Sequence, residues 1–322
     1  MNFHQLSSQR VLRAAVVGAG VFGRHHAAKY MRLAGVKLNA IADPKPDARR
    51  HVAAHLGVPA VADWRALLGE VDLVSICSPA GTHAGIVRAF LDAGAHVLVE
   101  KPIATSLKEA EELIALAASR GLVLTVGHQE RFVFAKSGLL DYEDAPLCVE
   151  CVRAGPWTGR GTDVSVVLDL MIHDLDLIHR LVPGTLKGVR AEGRSVHGKM
   201  ADEVTATLVF DCGAEVELIA SRAADARRRS MRVVYPDGEI RIDFLARSVT
   251  NTTERALQPL SLHDPLAESV AAFVTAARGG ASALVRPEEA RRALETALLI
   301  EEAMVPFGEI RAKERAPLRR TA

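Results

Sequence analysis

The sequence is poor in the features that mark specialised protein classes. Its 40 lysines and arginines stand against 39 aspartates and glutamates, a net charge of +1, so no excess of one sign recommends the chain for nucleic acid or an anionic membrane surface. Four cysteines in 322 residues, Cys77, Cys148, Cys151 and Cys212, are too few and too scattered for a disulfide framework. Cys148 and Cys151 form a CxxC, but it lies in LCVECVRAG, whose alternation is that of a strand. A strand sends residues three apart to opposite faces, so packing is expected there, not zinc or redox chemistry. No apolar run reaches a membrane-spanning length. The N-terminal VLRAAVVGAGVFG is cut by glycines and followed by Arg24, His25 and His26, which no signal-peptide core tolerates. A cytoplasmic location is expected. The chain also lacks internal repeats and low-complexity segments. What remains, 49% hydrophobic and 25% charged, suits an ordinary globular protein long enough for two domains.

From Arg13 to about His128, short β-branched runs alternate with helical segments. AAVVGAG, VKLNAIAD, VDLVSICSP, AHVLVEKP and LVLTVGH read as strands, and helices begin near Val21, Pro46, Thr82 and Ser106. Near-continuous apolar strands separated by helices predict a parallel sheet covered on both faces. The fold class is therefore α/β, with a Rossmann-type dinucleotide-binding domain over residues 1–130. After Glu130 the pattern changes to longer alternating strands: LCVECVRAG, LKGVRAEGRSV, EVTATLVF, AEVELIASRA and MRVVYPDGEIRIDFL. The PDG at Pro236 to Gly238 reads as a hairpin turn. Residues 131–322 are thus expected to form an α+β domain with a largely antiparallel open sheet. Two closing helices, Leu266 to Arg278 and Pro287 to Met304, are expected to pack back on the first domain, and RAKERAPLRRTA reads as a mobile basic tail.

Gly18, Gly20 and Gly23 form GxGxxG between the first strand and the first helix, with Asp43 at the end of the second strand. That context makes a dinucleotide fingerprint. Gly18 permits the turn, Gly20 lets a pyrophosphate approach the backbone, and Gly23 lets helix and strand pack, while the helix N-terminus offers oriented amides. Asp43 would accept hydrogen bonds from ribose hydroxyls and repel a 2′-phosphate, which favours NAD over NADP; Lys45, Arg49 and Arg50 close behind it would soften that preference.

The run VLDLMIHDLDLI, Val167 to Ile178, threads three aspartates and a histidine through apolar residues. At about 100° per residue, Asp169, His173 and Asp176 share one narrow stripe of an α-helix, and Asp174 sits among the apolar residues. Three readings compete: a structural Asp/His hydrogen bond in a core, a metal seam, and a general acid/base histidine oriented by an aspartate. A third feature, Lys101 in Glu100-Lys101-Pro102, ends the fifth strand, where ligands of open α/β sheets sit.

GAGVFG, CSPAGTH at Cys77 to His83, VEKP at Val99 to Pro102 and DLMIHD at Asp169 to Asp174 together resemble the glucose–fructose oxidoreductase/inositol dehydrogenase (Gfo/Idh/MocA) family. The resemblance spans nearly the whole chain. It implies a general-base role for His173, held by Asp169, with Lys101 contacting cofactor and reacting hydroxyl. It also implies a cofactor site lined by Val21, Phe22, Ser78, Pro79, His83, Glu100 and Gln129 besides the glycines and Asp43.

VGHQERF, Val126 to Phe132, resembles the sugar-nucleotide 3-dehydrogenases of that family. Arg153, Arg160 and Arg222 are expected near the pocket rim, where guanidinium groups would suit a diphosphate; Arg131 and Asp176 complete the expected substrate set. Asp174 and Asp176 otherwise read as structural. The whole chain looks most like family members that oxidise the 3-hydroxyl of UDP-N-acetylglucosamine to a ketone on the way to a diamino sugar of lipid A. An inositol or other cyclic polyol dehydrogenase is the alternative, and a non-catalytic NAD-binding sensor is the alternative of another class. No nucleic-acid or membrane partner is expected. A homodimer or homotetramer is, because a sheet with helices on one face leaves the other to be covered.

Overall fold

The computed structural model describes residues 10–159, 161–260, 263–308 and 319–320. Its first half runs β1 (Leu12–Val17), α1 (Val21–Tyr30), β2 (Val36–Ala42), α2 (Pro46–Leu56), β3 (Ala60–Val61), β4 (Leu73–Ile76), α3 (His83–Asp92), β5 (His96–Val99), α4 (Leu107–Arg120) and β6 (Leu124–Val126). The strands pair in parallel in the order β3-β2-β1-β4-β5-β6. β4 and β6 are buried at every position, as a sheet covered on both faces requires. The five expected strands are all present. β3 is a sixth, and two residues are too few to carry a hydrophobic pattern.

The second half contains α5 (Glu130–Ala135), β7 (Cys148–Ala154), α6 (Ile172–Leu181), β8 (Leu186–Arg194), β9 (Glu203–Phe210), β10 (Glu215–Ser221), β11 (Arg228–Tyr235), β12 (Gly238–Asp243), β13 (Ser248–Asn251), α7 (Pro265–Ala277), α8 (Pro287–Ala303), β14 (Met304–Pro306) and β15 (Arg319–Arg320). They build a sheet in the order β13-β12-β11-β7-β10-β9-β8-β14, with β15 also on β8. All its pairings are antiparallel except β7 with β10 and β8 with β14. The Pro-Asp-Gly turn joins β11 to β12, with Tyr235 opposite Gly238. Along β7, Cys151 points into the core while Cys148 is partly exposed, the alternation that separates the two thiols. Of the basic tail, residues 311–318 and 321–322 lie outside the described residues.

One hydrophobic cluster runs through both halves. Val97, Val99 and Val126 of the parallel sheet belong to it together with Leu175 and Ile178 of α6 and Val149, Val216 and Met231 of the second sheet. The chain then returns to the first sheet. Leu266, Val270, Phe273 and Val274 on α7 pack with Ala14, Val16, Tyr30 and Leu38. Phe273 is fully buried, and truncating such a ring to alanine typically costs roughly 3–5 kcal/mol. Asp264 caps α7, accepting from the Leu266 and Ala267 amides, and Lys29 of α1 reaches it at 2.5 Å. Pro265 and Pro287 stand in the first turns of α7 and α8, where the missing N–H has no intrahelical partner to lose. No described helix is long and apolar enough to cross a membrane.

Candidate active site

The turn from β1 to α1 is built by what its glycines leave out. Gly18 has φ +98°, and a Cβ there would sit 2.5 Å from the Cys77 carbonyl oxygen, so the turn closes against β4 only without a side chain. At Gly23 a Cβ would lie 1.7 Å from the Gly18 oxygen; this glycine lets α1 fold back onto the turn. Gly20 differs, because a Cβ there would meet nothing within 4 Å. Its bareness opens space in front of a helix N-terminus that no side chain caps. Uncapped first-turn amides beside an open backbone suit a pyrophosphate. Val21 and the half-exposed Phe22 flank that opening.

Asp43 holds the turn from the second strand: its carboxylate accepts from the Ala19 amide at 2.8 Å and from the Lys45 amide at 2.8 Å. Arg49 donates to the carbonyls of Asp43 and Pro44, and Arg50 pairs with Asp47. Two of the three neighbouring cations thus have partners within the same turn and helix.

Beyond β4 and β5 the sequence-predicted cofactor residues divide into two groups. Ser78 and Pro79 start the short turn before α3, with the Ser78 and Thr82 hydroxyls 2.7 Å apart. His83 and Glu100, expected on the cofactor lining, are buried, 1% and 8% exposed, and in this structure they brace the site from inside. His83 bridges the carbonyls of Pro102 and Ser78 at 2.7 and 2.9 Å. Glu100 Oε1 accepts from His26 Nε2 at 2.9 Å and from Gln129 at 3.0 Å. Behind it, His26 Nδ1 meets the Ser75 hydroxyl at 3.0 Å, which in turn meets the Tyr30 hydroxyl at 2.8 Å. Burial pushes the Glu100 carboxyl up, but the His26 hydrogen bond and the nearby positive charges outweigh it and hold the group below its usual range. Sequence reasoning missed His26, Ser75 and Tyr30. The signal was His26 and Tyr30 one turn apart on the buried side of α1.

The helix carrying the polar seam departs from the expected geometry. It opens with a π-helical turn, Val167–Met171, and becomes α-helical only at Ile172. The wider turn disturbs the spacing that would stack Asp169 under His173. Lys101 Nζ instead donates to the Asp169 carboxylate at 3.1 Å and to its carbonyl at 2.5 Å, and Arg222 stands 3.9 Å from the other carboxylate oxygen. Gly161, φ +63°, packs on the same carboxylate, where a Cβ would come within 2.5 Å. No hydrogen bond joins Asp169 to His173 among the described residues, and His173 Nδ1 is buried without a partner. Asp169, expected to hold the imidazole directly, thus orients Lys101 in this structure. An ammonium has three N–H donors; two are used here, leaving the third for a reacting oxygen.

Burial, the charge of Lys101 and then that of Arg153 push the His173 imidazole well below its ordinary range, so it is neutral at neutral pH. His128 lies edge-on to it, ring centroids 6.1 Å apart, fully buried with both ring nitrogens unpartnered.

The arginines expected at the substrate pocket have internal partners. Arg131 forks onto Asp176, with Nε 3.0 Å from Oδ2, and also pairs with Glu289. Arg153 forks onto Asp174 at 3.0 and 2.8 Å and reaches Glu130 at 3.1 Å. Arg222 binds Asp202 at 2.6 Å and the carbonyls of Gly161 and Val164. All three are buried, so their charges are spent internally, and the structural reading of Asp174 and Asp176 is the one their partners support. Arg160 lies outside the described residues.

Residues 12–128 match the model of an oxidoreductase family with an NAD-binding Rossmann fold, and residues 140–241 match a GFO/IDH/MocA C-terminal domain. The chain is 33% identical over 310 residues, 92% of its length and 98% of the relative's, to UDP-N-acetylglucosamine 3-dehydrogenase of Acidithiobacillus ferrooxidans. A solved structure of that enzyme matches with a TM-score of 0.83, covering 91% of this chain and 97% of that one. An inositol 2-dehydrogenase/D-chiro-inositol 3-dehydrogenase of Halalkalibacterium halodurans is 30% identical over 190 residues, 55% of each chain. The WlbA dehydrogenase of Bordetella pertussis, solved with NADH and UDP-GlcNAcA, shares the fold at a TM-score of 0.77 and 17% identity, covering 91% of this chain and 96% of that one. With both halves matched, and with the glycine turn, Lys101 and His173 gathered at the ends of the parallel strands, the chain belongs to the Gfo/Idh/MocA family of NAD-binding oxidoreductases.

Proposed function

We propose that this protein oxidises a secondary hydroxyl of a sugar nucleotide to a ketone, and that the substrate is UDP-N-acetylglucosamine reacting at its 3-hydroxyl. The observation that carries the reaction is the pairing of a neutral, partly unpartnered His173 with Lys101 beyond the end of β5. NAD held on the glycine turn supplies the hydride acceptor. His173 takes the hydroxyl proton as the carbon loses its hydride, and the free N–H of Lys101 stabilises the oxygen while it carries negative charge. Asp169 fixes the ammonium for that task. The substrate assignment is supported by the 33% identity over 92% of the chain to a UDP-N-acetylglucosamine 3-dehydrogenase.

A cyclic polyol is the second reading, favoured by the 30% identity to an inositol dehydrogenase over about half the chain. A homodimer or homotetramer is part of the proposal. α6 covers one face of the second sheet, while Glu215, Glu217 and Ile219 of β10 point outward and are exposed. Light scattering that gives the mass of one chain at micromolar concentration would remove it. The decisive experiment for the activity is a panel of UDP-sugars and polyols with NAD, followed by the absorbance of reduced nicotinamide. Turnover of inositol with none of UDP-N-acetylglucosamine would replace the first reading by the second, and NAD binding with no turnover at all would sink both.

A further inference from the structure

We propose that Arg229 is the anion-binding side chain of the substrate site, the group that takes the phosphates of a nucleotide-sugar substrate. The proposal rests on the sugar-nucleotide reading above. It starts from the register of β11. Arg228, Ser230 and Arg232 face outward, where Arg232 pairs with Glu150 and Glu239, while Met231 and Val233 point into the core, 1% and 0% exposed. Arg229 is the inward-facing position at the strand's open end. There the antiparallel register sets it directly opposite Arg153 of β7. Two like charges facing across a ladder repel unless something negative lies between them.

What lies between them is divided unequally. Arg153 is saturated: it forks onto Asp174 and takes Glu130 Oε1 at 3.1 Å. Arg229 shares that same oxygen at 3.5 Å, a distance too long for a good hydrogen bond. Its side chain stays 43% exposed. A guanidinium has five N–H donors in a planar fork, so among the described residues most of this one's capacity is unused. Burial and the charge of Arg153, followed further down by that of Arg227, hold its affinity for the proton below the usual range despite Glu130. That is the signature of a partly desolvated cation whose nearest carboxylates, Glu130 and Asp174, are shared with Arg153. Its ladder partner Arg153 holds Asp174, the residue that follows His173, which ties Arg229 to the reacting end of the site. A planar fork short of anions, beside the candidate base, matches phosphate geometry better than it matches a neutral polyol.

The test uses the full-length protein with NAD, with UDP-N-acetylglucosamine as substrate and UDP as competing ligand. Arg229→Ala should raise KM for the sugar nucleotide about 10- to 100-fold, the range for losing a charge-assisted contact, with a smaller change in kcat. UDP inhibition should weaken in parallel, and NAD affinity should hold. Arg229→Lys should recover part of the loss, and a thermal melt of each variant guards against misfolding. An unchanged KM and unchanged UDP inhibition in both variants, with the parent active on the sugar nucleotide, would overturn the assignment of Arg229 alone. A parent that neither turns over a nucleotide sugar nor binds UDP would overturn the substrate reading and this inference with it.

Discussion

The two halves of the molecule bury polar groups in opposite ways. Under the glycine turn, Tyr30, Ser75, His26 and Glu100 form one relay of hydrogen bonds ending in a single carboxylate. Behind the second half of the site, Arg131, Arg153 and Arg222 each face an aspartate. The first arrangement supports a ligand through backbone shape: bare glycines, open amides and braced loops. The second is an array of paired charges that fixes α5, α6 and the second sheet relative to one another and leaves few free groups for substrate. A fork onto a buried carboxylate therefore identifies an arginine already occupied. The residues available for chemistry are those the pairing leaves over: His173, His128, one N–H of Lys101 and Arg229.

The largest effect should come from removing one of those remaining groups. His173→Ala should lower turnover about a hundredfold or more while NAD affinity and the melting temperature stay close to the parent's, because the cofactor is held by the other half. Steady-state kinetics beside NAD titration check this. An alanine variant that keeps full specific activity would move His173 to the structural side of the comparison.

Next is the pairing itself. Asp174→Ala leaves Arg153 buried beside only a shared glutamate, and breaking a buried pair from one side typically costs about 3–5 kcal/mol. Replacing both partners together, Arg153→Met with Asp174→Leu, should cost much less, since no charge is then stranded. Urea denaturation of the parent and the two variants decides it. Equal losses for the single and double variants would mean that packing, not charge, is what the pair supplies.

The backbone half is probed with smaller changes. Gly20→Ala adds a methyl where nothing lies within 4 Å, so stability should hold while NAD affinity falls roughly tenfold, as expected where a close phosphate approach is blocked. Gly23→Ala places a methyl 1.7 Å from the Gly18 oxygen and should lose stability as well, by about 1–3 kcal/mol or more. Calorimetric titration with NAD and thermal melts separate the two. Identical behaviour would mean that the glycines share one role.

This contrast also explains what was legible in the sequence. Gly18, Gly20, Gly23 and Asp43 could be read because their work is local: a turn, a close approach and a strand end lie within about one βαβ unit. The longer strands could be read because those of the first sheet are near-continuous apolar runs and β9 and β10 of the second keep period two, whereas β13, four residues with no alternation, could not. The partners of the arginines could not, because Arg153 and Asp174, or Arg131 and Asp176, lie 21 and 45 residues apart and nothing in either segment names the other. Lys101 and Asp169, 68 residues apart, were both singled out, yet their contact depends on a π-helical turn that α-helical spacing does not anticipate. Arg229 hid in a run of three arginines whose members differ only by the face of the strand they occupy.

The smallest expected effect belongs to His128, and it asks which side of the comparison this imidazole stands on. Both its ring nitrogens are buried without partners, and burial first, opposed by Asp176 and reinforced by Arg131, keeps it below the ordinary imidazole range. His173 is lowered likewise, and His179 is lowered to about 4 by burial and Arg292. A histidine whose folded pKa is depressed binds its proton more readily when the chain is unfolded. Its contribution to stability is therefore complete above the ordinary value of about 6.5 and is lost as pH falls toward the folded value. The protein should lose melting temperature steadily as pH drops from about 7.5 to about 4.5. His128→Phe keeps a ring of similar shape and removes two unsatisfied polar atoms, so at pH 7.5 it should be as stable as the parent or more stable by about 1 kcal/mol. Its acid slope should be shallower, because one proton fewer has to be excluded. A phenylalanine variant that melts lower at pH 7.5 and retains the parent's slope would mean that His128 is satisfied in solution, and that its ring belongs with the paired, structural groups.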